Sequence, residues 1–245
     1  MKKTLVLILI SLLSVPGFSQ TEDEPGFQLG FQFSPSIGWF KPDSEGLERD
    51  GMRVGFNFGL TADFNISKNY AFSTGLGLIN TGGKINFQDV KPIGSAGVLT
   101  GGRTTADIQL NYIHVPITLK LKTNQIGYMT YFARIGFGLG VNYRAEADEE
   151  FKYPGVSETI SGSELDYKDE INLLRTSLII GLGAEYNLSG NTSLVFGASF
   201  DNGFNNVLKE DAYEEDANGN GIIGPKDKAF KAIQNQIVLN LGIIF

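Results

Sequence analysis

The sequence has no cysteine and a single histidine, His114. Without cysteine there is no disulfide, no thiolate zinc site, no cysteine nucleophile and no cysteine-linked lipid anchor. Beyond the N-terminus there is no long apolar run, and the mean hydropathy resembles that of a soluble protein. That average misleads wherever only every second residue faces lipid. Basic side chains are also short, 20 against 27 acidic ones. Such a balance argues against nucleic acid as a partner.

What is present begins with a leader. Lys2 and Lys3 precede an apolar core, Thr4 to Val15, and Gly17 and Ser19 are small residues at a signal peptidase spacing. Residues 1–19 therefore read as a cleaved signal peptide, too short in their apolar part to span a bilayer comfortably. Its removal takes the formal charge from -7 to -9, because Lys2 and Lys3 go with it.

Residues 20–245 read as one all-β domain. The clearest stretch runs from Asn111 to Arg144. Met129, Tyr131, Ala133, Ile135, Phe137, Leu139, Val141 and Tyr143 share one face there, and Thr130, Phe132, Arg134, Gly136, Gly138, Gly140, Asn142 and Arg144 share the other. A period of two over that length predicts an unusually long strand. The same alternation recurs from Phe27, Arg53, Tyr70, Thr105, Leu174, Ser193 and Gln234 onward, which predicts eight strands. Pro35 breaks the apolar face of the first, as at a bulge. Long polar loops are expected at Lys41–Gly51, Gln88–Thr104, Ala145–Glu170 and Asn205–Lys231. Short turns are expected at Asn65–Asn69, Thr123–Gly127 and Ser189–Asn191. An even strand number with long and short connections in alternation is the pattern of an outer-membrane barrel, loops outside and termini in the periplasm.

Volume decides which face is inside. An eight-stranded ring has room only for side chains that fill it. The apolar face carries too many Phe, Tyr and Trp residues to fit, whereas the other is rich in Gly and Ser with scattered charges. The apolar face therefore points to lipid, and the sheet must close, because an open edge in hydrocarbon leaves backbone groups unsatisfied. Trp39, Tyr143 and Phe204 at one end, with Tyr70, Tyr131, Tyr186 and Phe245 at the other, read as two interfacial girdles. The expected fold is an eight-stranded antiparallel up-and-down transmembrane β-barrel.

The run Tyr112-Ile113-His114-Val115-Pro116-Ile117-Thr118-Leu119-Lys120, the Gly-rich strand Arg134 to Asn142 and the repeat Gly75-Leu76-Gly77-Leu78 resemble the PorT-like outer-membrane β-barrel family. The first run departs from that family at His114, where an acidic residue is common. The resemblance implies an eight-stranded barrel. It says little about function: a namesake member is associated with protein secretion, a role not carried over to this chain.

Four constellations are candidates for chemistry. Arg53, Asp63, His114, Lys120, Arg134, Arg144, Arg175, Glu185 and Asp201 are expected in the lumen, where mixed signs let buried charges pair. A Ser-His-Asp arrangement would need a Ser and an Asp converging on His114 near the rim. His114 reads as deeper than that, so no enzyme is expected. The stretch from Asp216 to Asp227 fits a calcium loop, with Asp216, Asn218, Asn220, Ile222 and Asp227 as ligands around the bend at Gly221. Asp in place of Glu at its end, Pro225 and the lack of flanking helices make it at best a weak site; Asn-Gly pairs also form ordinary turns. Finally, Ala145–Glu170 carries nine acidic side chains against two Lys. It is a solvated loop or a docking surface for a basic partner.

The functional expectation is a non-enzymatic structural or interaction protein in contact with outer-membrane lipid and another envelope or secretion protein. A narrow channel for ions or small solutes is the alternative, and a soluble ligand-binding barrel is the third. If the 216–227 loop holds calcium, chelation should increase its sensitivity to protease; unchanged cleavage would remove the site.

Overall fold

The computed structural model describes residues 26–44, 46–93, 98–153, 159–209 and 230–245. The leader and the whole 216–227 stretch, including Asp216, Asn218, Asn220, Ile222 and Asp227, lie outside the described residues.

Among the described residues nine strands form one antiparallel sheet. They are β1 (Phe27–Pro42), β2 (Leu47–Ser67), β3 (Tyr70–Ile93), β4 (Val98–Lys122), β5 (Met129–Lys152), β6 (Thr159–Asp166), β7 (Leu174–Ser189), β8 (Thr192–Gly203) and β9 (Ala232–Ile244). Their spatial order is β4-β3-β2-β1-β9-β8-β7-β5-β6, and a further β4–β5 pairing closes eight of them into a ring. β6 stands outside that ring and, among the described residues, pairs with β5 alone. The three short turns sit together at one end, where Gly127 and Gly190 adopt the positive φ their turns require.

The apolar face is the outer one. Phe31, Phe33, Phe58, Leu76, Phe137, Leu182 and Leu241 are all exposed, as are the girdle residues Tyr70, Tyr131, Tyr143, Tyr186, Phe204 and Phe245. Along β4 the outward apolar series runs from Ile113 to Leu121. At about 3.3 Å per residue and a tilt of roughly 40°, it is on the order of 20 Å tall, close to the ~25 Å height of a bilayer's apolar band.

Three of the expected loops are mostly strand. β2 begins at Leu47, inside the expected first loop. The Gln88–Thr104 region continues the β3–β4 ladder as far as Ile93 opposite Val98. The acidic Ala145–Glu170 region continues β5 to Lys152 and supplies β6, the ninth strand. These segments look polar because the meaning of the alternation reverses beyond the apolar band. On β4, Ala106, Ile108 and Leu110 are fully buried inside, while Asp107 and Gln109 face out; below Tyr112 it is Ile113 that faces out and His114 that is buried. The surroundings change from lipid to water while the strand runs on.

The inward apolar side chains of the projecting part form their own core. Phe40, Ile85, Phe87, Ile108, Leu110, Tyr112, Tyr167, Ile171, Leu208 and Phe230 belong to it. Asn206 ties its lid together, accepting from the Leu208 and Ala232 amides at 3.1 and 2.9 Å.

Pro35 is not at a bulge. β1 keeps one register against β2 through Pro35 opposite Phe56. Against β9 the pairing lapses at Ser34 and Pro35 and resumes unshifted at Ser36 opposite Val238. A missing N–H costs the ladder one bond without moving the strand.

Leu110→Ala should remove about 3 kcal/mol of stability through the cavity it leaves in the projecting core. Urea unfolding of the detergent-folded chain measures this; a loss under 1 kcal/mol would mean that this core is not packed as described.

Candidate functional site

Inside the ring, below the apolar core, the strands present short inward side chains: Ser34 and Ser36 from β1, Ser177 from β7, Ser199 from β8. Glycines make room among them. A Cβ at Gly138 would lie 2.5 Å from His114 Nε2 and 2.6 Å from Ser177 Oγ. Into this space project two groups of charges.

The first group is centred on Lys120. Its ammonium bonds Asp63 at 2.7 Å and also contacts Glu185, and all three side chains are less than a tenth exposed. Ser73 donates to the same Asp63 carboxylate. Asp63 comes from β2, Lys120 from β4 and Glu185 from β7, so the ammonium joins three walls of the ring. Phe132 lies beneath it, with the ammonium 4.7 Å from the ring centroid. The second group is Arg175 and Asp201, paired at 2.9 Å with both side chains almost fully buried. Gln236 donates to Asp201 at 3.0 Å, and Arg175 also donates to the Gln234 carbonyl. These are charges with partners of opposite sign, the arrangement that burial demands.

Between the groups lies a cavity of about 110 Å³, lined in part by Gln32, His114, Thr118, Arg134, Ser199 and Asn240.

Seven of the nine expected interior charges are on this inner face: Asp63, His114, Lys120, Arg134, Arg175, Glu185 and Asp201. Arg53 and Arg144 are not. The β4–β5 ladder shifts register between Asn111 and Tyr112, so β5 carries one extra residue at Tyr143. Every side chain beyond it changes face. Ala145, Ala147 and Phe151 turn inward and Arg144 turns out, exposed, onto Glu146. The sequence held a signal of this: without the shift, Glu146, Asp148 and Glu150 would all point inward. β2 is irregular between Met52 and Phe56. There Arg53 passes over Gly82 and bonds Asp107 at 2.7 Å and Gln109, on the face of β4 opposite to Ala106 and Ile108. A Cβ at Gly82 would fall 1.9 Å from the Ile108 carbonyl, and its φ is +153°, so only glycine fits.

The structure does bring a Ser and an Asp near His114, namely Ser177 and Asp201, but not as a relay. Asp201 is held by Arg175 and Gln236, Ser177 Oγ accepts from Arg175 at 3.3 Å, and His114 Nε2 has no hydrogen-bond partner. Among the described residues no group of three or more His, Cys, Asp or Glu side chains is placed to hold a metal ion.

The family model described as outer membrane protein beta-barrel domain matches residues 18–209. No curated protein matches the chain. Among solved structures the chain is similar to the outer membrane protein OprG from Pseudomonas aeruginosa, at 9% identity and a TM-score of 0.44 over 91% of this chain and 97% of that one. It is also similar to Neisserial surface protein A, at 11% and 0.43 over 90% and 96%. A third is Ail, the attachment invasion locus protein of Yersinia pestis, at 15% and 0.38 over 90% and 100%.

Lys120→Met should cost about 3–5 kcal/mol, because it strands two buried carboxylates. Adding Asp63→Asn and Glu185→Gln should restore most of that. Chemical unfolding of the single and triple variants measures both; a triple variant no better than the single would mean that the pairing is not what stabilises the ring.

Proposed function

We propose, for a chain that belongs to the outer membrane protein beta-barrel domain family and so resides in the cell outer membrane, a non-enzymatic role as an anchored interaction module. We also assign it, on its Tyr112–Lys120 strand, to the PorT-like barrels. The short-turn end and the termini face the periplasm in this reading, and the projecting strands stand outside the cell.

One observation carries the proposal: the sheet does not stop at the apolar band. β3, β4 and β5 run on well past it, are packed from within by their own apolar core, and end in β6, whose outer edge pairs with no described strand. A barrel needs only about 9–11 residues per strand to cross a bilayer, and these strands have 24 or 25. Rigid structure of that length in water serves to present a surface. That surface is acidic: Glu146, Asp148 and Glu150 alternate along the outer face of β5, and Glu164 and Asp166 sit on β6. An open strand edge offers backbone hydrogen bonds to an extended segment of a partner. The acidic flanks favour a basic one. The apolar core above the lumen weighs against a conduit, since an ion would have to cross it.

The test is affinity purification of the tagged protein from cross-linked cell envelopes, with the tag near Gly155. A stoichiometric envelope or secretion protein, lost when Glu146, Asp148, Glu150, Glu164 and Asp166 are changed together to the neutral amides in the tagged chain, is the expected result. A partner retained by that variant would move the interaction elsewhere. Recovery of the protein alone would argue for a self-contained barrel.

A further inference from the structure

The structure assigns the lumen a resident ligand: a small pool of bound water, held in the layer of Arg175, Gln236 and His114. Five polar atoms of that layer have no protein partner among the described residues. They are Ser36 Oγ, His114 Nε2, Arg175 Nε, Gln234 Oε1 and Gln236 Oε1. All five side chains are buried, none more than 8% exposed. A polar atom buried without a partner costs free energy. Five in one layer are too many for a marginally stable fold unless something polar answers them.

Register brings the five together. His114 on β4 and Arg175 on β7 both stand opposite Gly140 of β5, so only a glycine separates them around the wall. Arg175 and Gln236 both bond Asp201. Arg175 also donates to the Gln234 carbonyl. Gln234 and Gln236 lie two apart on the inner face of β9. Ser36 on β1 stands opposite Val238, diagonally next to Gln236.

Their chemistry selects the ligand. Arg175 Nε only donates and the two amide oxygens only accept, while His114 Nε2 and Ser36 Oγ take either role. A simple anion cannot donate to the amide oxygens. A metal cation cannot accept from Arg175. Water does both, with about three bonds each. Room is present as well. Ser177 Oγ and His114 Nε2 stand at 2.6 and 2.5 Å from the place of a Gly138 Cβ, and Nε2 does not bond the hydroxyl, so one water can bridge them. His114 and Asp201 also line the 110 Å³ cavity, which has space for at least three waters at about 30 Å³ each. Along the barrel axis the pool is closed at both ends. Phe40, Leu110 and Tyr112 of the apolar core lie above it. Phe132 and the Lys120 group lie below.

The pool does not depend on the interaction role proposed above and is tested separately. The full chain is crystallised from detergent at a resolution that shows ordered water. Three or more waters within hydrogen-bond distance of the five atoms is the expected result. Finding those atoms dry, or answered by protein groups instead, overturns the proposal. In solution, Ser36→Ala removes a single oxygen. If Ser36 Oγ holds water, the unfolding equilibrium of the detergent-folded variant shifts about three- to tenfold toward the unfolded chain. A hydroxyl buried dry gives the opposite: its loss leaves stability unchanged or raises it, and that outcome also overturns the proposal. If Ser36→Ala does not fold, the wild-type water map alone decides.

Discussion

A strand edge in hydrocarbon has nowhere to send its amide and carbonyl groups. That constraint explains the one pairing on which the architecture turns, β4 with β5, which converts a row of strands into a ring. It also explains where the ring tolerates an open edge. Among the described residues β6 leaves its outer side unpaired, and only beyond the apolar band, where water can satisfy it. Pro35 obeys the same logic: it sits in register and gives up one stretch of pairing with β9 instead of displacing a strand.

Closure then sets the terms for everything inside. A ring of eight strands encloses a space filled by its own side chains, so charges there must find partners across the lumen. Lys120 joins carboxylates from β2 and β7, and Arg175 on β7 joins Asp201 on β8. The first group links strands far apart in sequence, and the second joins the two strands of one hairpin. The charges thereby stabilise the closed cross-section while leaving a small cavity between them. The same closure separates that cavity from the projecting core, whose inward side chains are apolar because their outer faces meet water and not lipid.

Much of this was legible from alternation. The outward faces, the two aromatic girdles, the three short turns and seven of the nine lumen charges follow from counting by twos and asking which set of side chains can fit inside. The count of strands did not follow, because the projecting segments carry polar residues outward and read as loops. Inward apolar side chains within them, such as Leu47, Ala147 and Phe151, were the available sign that they are strand. Arg144 was misplaced because a single extra residue at Tyr143 reverses every face after it, and Arg53 because β2 arches at Met52–Phe56.

The sequence by itself determined the class of the protein: a period of two, one face too bulky for a lumen, and no cysteine or long helix to suggest another answer. The periodicity is local, so it survives reading one residue at a time. The tertiary structure alone decided which charges meet. Lys120 is opposed to Arg134 by register, yet it bonds Asp63 and Glu185 from other strands. Partner choice across a closed ring depends on tilt, stagger and bulges together, and no local pattern records their sum.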